Sequence, residues 1–114
     1  MKATETYEEA ELRFAVAAGE AGFRAAVSRS YFAAFQHLRD HPAVGFTLSA
    51  KGSDHGDLIR HLVRRGPART ASLLQRLRTL RNHCDYDLRN PVSKILAEEA
   101  VDMAYAIIFE DCPA

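Results

Sequence analysis

The chain has 114 residues, 47% of them hydrophobic, and its fifteen lysines and arginines match its fifteen aspartates and glutamates. That length suits one domain around a single core, and the zero net charge excludes a molecule that binds polyanions over its whole surface. No apolar run approaches the roughly 20 residues a membrane span requires, which excludes a helical membrane protein.

The opening Met-Lys-Ala-Thr-Glu-Thr has no apolar centre of the signal-peptide kind, so the expected location is the cytoplasm. Cys84 and Cys112 show no paired metal spacing and no disulfide framework, and both are expected as free thiols. The balanced charge hides a strong segregation. Residues 1–23 carry −3, residues 24–50 carry +2, residues 51–94 carry +6 and residues 95–114 carry −5. A basic middle is a surface that attracts phosphates, or one that pairs with the acidic helices on either side.

In chain order, Thr6 followed by Glu9 has the form of a capping box and predicts a first helix over about 6–18, with Tyr7, Ala10, Phe14 and Ala17 on its apolar stripe. Gly19 and Gly22 bracket a turn. The second helix, about 22–40, has the strongest helical period in the chain, in Phe23, Ala26, Val27, Ser30, Tyr31, Ala34, Phe35 and Leu38, and is expected to be the core helix. His37 and His41 stand four apart near its end, but no third ligand accompanies them and Pro42 stops the helix, so no metal site is expected.

Residues 42–52 lack a helical period and predict a loop. Ser53 or Asp54 then caps a short helix to about Val63, with Leu58, Ile59, Leu62 and Val63 inward and Arg60, His61, Arg64 and Arg65 outward. Gly66-Pro67 breaks it, and a fourth helix starts near Arg69 or Thr70 and frays between Tyr86 and Asn90. Ser93 caps a last helix to about Phe109, apolar on more than one side, which places it either centrally or at a dimer seam. The predicted architecture is all-α, an up-and-down bundle of four long helices plus one short helix in a single domain over 1–114.

The densest chemistry lies on the fourth helix, where Arg76-Leu-Arg-Thr-Leu-Arg-Asn-His-Cys-Asp-Tyr-Asp-Leu packs three guanidinium groups, an imidazole, a thiol, two carboxylates and a phenol into thirteen residues. Leu77, Leu80, Cys84 and Leu88 recur at helical spacing and predict a buried edge, while Arg78, Arg81, Asn82 and Asp85 share another. Cys84 is expected in the core rather than as a nucleophile. Across helices, an ion pair of Arg29 with Asp85 or Asp87 is expected to lock the second helix to the end of the fourth.

Two stretches together resemble the paired signatures of small HEPN-domain proteins: Arg24-Ala-Ala-Val-Ser-Arg-Ser-Tyr-Phe-Ala-Ala-Phe, and Leu80-Arg81-Asn82-His83-Cys84-Asp85-Tyr86-Asp87. Between them Lys51-Gly52-Ser53-Asp54-His55-Gly56 is similar to that family's Lys-rich loop, so the likeness spans about residues 10–110. The resemblance implies a HEPN-like helical bundle that commonly forms a homodimer, and a partnership with a minimal nucleotidyltransferase antitoxin in toxin–antitoxin or antiviral settings. It also implies metal-independent cleavage of RNA through an arginine and a histidine with four to six residues between them. In that chemistry the histidine manages the proton of the attacking hydroxyl, and the arginine stabilises charge on the phosphorane-like transition state.

Arg78 and His83 meet that spacing, whereas Arg81, the arginine in register with the second stretch, is followed five positions on by Tyr86. The resemblance thus assigns catalysis to Arg78, Arg81, His83 and Tyr86, RNA or nucleotide binding to Lys51, Asn82 and Arg76, and no cofactor or metal. A second reading assigns the same surface to a non-catalytic helical adaptor that binds a nucleotidyltransferase or a nucleotide.

Overall fold

Helix formation accounts for most of the backbone in the computed structural model, which describes residues 2–47 and 53–110. The helices are α1 (Ala3–Val16), α2 (Glu20–Asp40), α3 (Asp54–Arg65), α4 (Ala68–Tyr86) and α5 (Lys94–Tyr105), and α5 runs on into a π-helical turn, Ala106–Glu110. No strand occurs among the described residues. The all-α class holds, and the radius of gyration of 13.6 Å is close to the ~13 Å expected of one packed body of about 100 residues.

α2 is the axis of the molecule, in contact with α1, α3, α4, α5 and the π-helical turn. Its predicted stripe explains this. Ala26, Val27, Ser30, Tyr31, Ala34, Phe35 and Leu38 are all buried, and the small Ala33 and Ala34, also buried, allow neighbouring helices to approach between the large rings. Gly22 makes the α1–α2 turn possible, because a Cβ there would sit 2.7 Å from the Cβ of Ala17. α5 packs against α1, α2 and α4: Ala97, Ala100, Val101, Met103 and Ala104 are buried, as are Ile107 and Ile108 beyond it, while Ile95, Tyr105 and Phe109 are exposed.

Several local expectations change. α1 begins a turn early, so Thr6 is not a cap. It is buried in the helix and donates its hydroxyl to Gln36 Oε1 at 2.7 Å, and no side chain caps this helix. The tertiary bond to α2 outweighs a local cap. Val63 and Leu88 were expected inward and are 66% and 72% exposed. Leu88 lies past the end of α4, where the helical period no longer sets its direction. Ser93 does cap α5, accepting from the Leu96 amide at 3.2 Å.

Candidate functional site

The end of α4 is fixed by one arginine. From α2, Arg24 reaches the last turn, where its Nη1 donates to the carbonyl oxygens of Cys84 (2.8 Å), Asp87 (3.3 Å) and His83 (3.4 Å). Its Nη2 donates to the Asn90 carbonyl (2.5 Å) and to Glu20 Oε1 (2.6 Å). The His83 carbonyl also accepts from the Asp87 amide at 3.1 Å, and a cation is well placed at a helix C-terminus. The lock between α2 and α4 thus exists but does not use the expected pair. Arg29 lies 3.5 Å from Glu9 of α1, while Asp85 pairs with Arg81. Five residues turn an α-helix by about 140°, so Arg24 and Arg29 serve opposite sides of α2.

With its C-terminal turn held, α4 projects Arg81 into a set of rings. The guanidinium carbon is 5.2 Å from the Phe32 centroid, 5.8 Å from Tyr31 and 5.7 Å from Tyr86, distances at which the ring quadrupoles attract a cation. Its Nε is 2.8 Å from Asp85 Oδ2, but the N–H is not aimed at that oxygen and makes no hydrogen bond. Arg81 is thereby positioned by stacking and charge rather than by a closed hydrogen-bond fork. Tyr86, at 73% exposure, forms the outer wall.

The histidine that shares this space is His55, in the first turn of α3. Its Nδ1 is 2.6 Å from the Tyr31 hydroxyl, and its ring stacks on Phe35 with centroids 4.1 Å apart. Burial lowers the His55 pKa below the usual histidine value, and Arg81 and Arg78 lower it further. The imidazole is accordingly neutral at neutral pH. Burial raises the Tyr31 phenol to about 12, so it keeps its proton. Arg78 completes the group. Its Nη1 lies 3.4 Å from where a Cβ would stand at Gly56, and among the described residues no carboxylate lies within ion-pair distance of it. Two guanidinium groups, a neutral imidazole and a protonated phenol therefore converge where α2, α3 and α4 meet. Such a set can bind a phosphate and exchange a proton beside it.

The remaining predicted residues are placed otherwise. His83 is not with Arg78 and Arg81: its Nδ1 faces Asp87 Oδ2 at 3.8 Å, on the side of α4 turned toward Arg24 and Glu20. Asn82 is exposed beside the site and accepts weakly from Arg81 at 3.4 Å. Arg76 is on another face, lining hollows with Ile59 and Val63 on one side and Leu96 and Glu99 on the other. Lys51 and Cys112 lie outside the described residues. Cys84 is buried in the core, its thiol pushed up to about 11, which removes it as a nucleophile. His37 and His41 do stand ring to ring at 5.3 Å, but no group of three metal-ligating side chains occurs among the described residues.

Tyr31 and His55 were the residues the spacing rules passed over. The first sits in a core stripe and the second stands alone at a helix start, and both fall within the stretches that carry the resemblance. No family model, no curated protein and no solved structure matches this chain.

Proposed function

We propose that this is a HEPN-like bundle protein that binds a single strand of RNA by its phosphates and cleaves it without a metal, as the toxin-like member of a nucleotidyltransferase pair. The observation that supports it is the convergence of Arg78, Arg81 and His55, with the buried Tyr31 hydroxyl behind the imidazole. In this reading Arg78 and Arg81 hold a phosphodiester. His55 and the Tyr31 hydroxyl share a hydrogen bond through Nδ1, and the tautomer with its proton on Nδ1 acts as the base, its bare Nε2 taking the proton of the adjacent 2′-hydroxyl. The 2′ oxygen bonds to phosphorus, the bond to the 5′ oxygen breaks, and that oxygen takes a proton from solvent. The products are a 2′,3′-cyclic phosphate and a 5′-hydroxyl end. The guanidinium groups offset the charge that grows on the equatorial oxygens, the larger share of such catalysis.

The test is incubation of purified protein with unstructured RNA in excess chelator. Cleavage is expected, and both His55→Ala and Arg81→Ala should lower its rate by at least about 100-fold. Absence of cleavage by the unaltered protein removes the catalytic reading. The packing of His55 between Phe35 and Tyr31 favours a second reading, in which the same surface binds RNA or a nucleotidyltransferase as an adaptor. RNA binding that depends on Arg81 but leaves the strand intact would select it.

A further inference from the structure

Across Gly56 from the convergent arginines lies a second feature. A hollow of about 320 Å³ opens between α3 and residues 45–47, lined by the Phe46 ring and by the polar side chains of Thr47, Asp57, Arg60, His61 and Arg64. It carries the components of a nucleotide site. The Phe46 ring stands edge-on to His61, centroids 5.8 Å apart, and offers an aromatic surface at the wall. His61 Nε2 donates to the Val44 carbonyl at 2.6 Å, which fixes its tautomer and leaves Nδ1 as an acceptor. Asp57 also lines the hollow, but its carboxylate is held by Ser53 at 2.7 Å and by Arg60. Arg64 is exposed, and among the described residues no carboxylate lies within ion-pair distance of it.

The hollow adjoins the first site at Gly56. A Cβ at Gly56 would stand 3.3 Å from Arg60 Nη1 and 3.4 Å from Arg78 Nη1, so one guanidinium of the hollow, paired with Asp57, and one of the phosphate site meet over a glycine that leaves room for both. We infer that this hollow is the subsite for the nucleotide flanking the reacting phosphate, with Arg64 and Arg60 on the next phosphate and Phe46 against the base. The inference rests on the RNA reading and deepens it: the substrate is a strand that spans both sites, and a lone mononucleotide fills only one. Base against aromatic and arginine against phosphate is a combination that tolerates sequence, so length and not base identity governs binding here.

The experiment is fluorescence-anisotropy titration with a labelled short uridine oligomer, in competition with uridine monophosphate. Unaltered protein should prefer the oligomer by about tenfold or more, and Arg64→Ala should remove most of that preference while leaving monophosphate binding unchanged. Gly56→Ala is the second variant. It adds a methyl group against the flexible ends of two arginines, so it should leave the melting temperature unchanged or raise it, while weakening the oligomer severalfold. If both variants bind the oligomer as the unaltered protein does while Arg81→Ala loses it, the subsite is wrong and the phosphate site stands. Should Arg81→Ala also bind normally, the RNA reading falls and the subsite with it.

Discussion

His55 shows how much one side chain's surroundings decide. An isolated histidine titrates near 6.5, but this one is packed against Phe35 and Tyr31, with Arg81, Arg78 and Arg39 facing it and the Asp54 carboxylate opposing them. Its neutral form is favoured in the folded chain, so the unfolded chain binds more protons just below 6.5. The stability contributed is complete above that pH and is lost as pH falls from 6.5 toward the lowered folded value. His37, also lowered by burial and by His41, acts in the same direction. His55→Asn keeps a polar atom for Tyr31 and removes the titration. Urea unfolding at neutral and mildly acid pH should show a smaller acid-side loss in the variant, with the residue from His37 remaining. An identical loss in both proteins would mean that His55 does not titrate differently on folding.

At the scale of elements, the end of α4 depends on α2. Four carbonyl groups and one carboxylate converge on the Arg24 guanidinium, and Glu20 Oε1 also accepts from the Val92 amide at 3.2 Å, tying in the segment that leads to α5. Arg24→Ala strips partners from several carbonyls at once, and hydrogen bonds to a charged group are worth about 1.5 to 3 kcal/mol. Thermal unfolding should show a loss of about that size. Hydrogen exchange should show the final turn of α4 opening before the rest of the helix, carrying Tyr86 away from Arg81. Arg24→Lys restores charge but not the fork, and should recover less than half. A wild-type exchange pattern in Arg24→Ala would show that the turn is held by α4 itself. The same reasoning explains why α3, short and rich in arginine, is nonetheless ordered: Leu58, Ile59 and Leu62 give it one buried edge, and its charged face remains available.

For the whole molecule the decisive quantity is the arrangement of charge, since the total is zero. α1 and α5 carry the acidic residues, and α3 and α4 present the arginines. Neutrality keeps non-specific attraction weak, so RNA affinity has to come from a few local contacts. With Arg78 and Arg81 on one phosphate and Arg64 and Arg60 on the next, the logarithm of the binding constant should fall with the logarithm of salt concentration at a slope of about −1.4, at roughly −0.7 per phosphate for a single strand. A flat dependence would exclude phosphate contacts as the source of affinity.

How much was legible in advance follows from the same physics. The helical period of α2, the Gly66-Pro67 break, the Ser93 cap and the core position of Cys84 are local or periodic properties, and the sequence alone determined them. It also determined that arginines would crowd α4, since spacing along a helix sets which residues share a face. Only the tertiary structure decided which histidine joins them. His83 is close in sequence but turned to another side, whereas His55 arrives from a separate helix because Tyr31 and Phe35 of α2 form its seat. Likewise the choice of Arg24 over Arg29 as the lock depended on which side of α2 faces α4 and which faces α1. Side-chain partners between helices are set by how the buried stripes interdigitate, and that packing belongs to all the helices together rather than to any one segment.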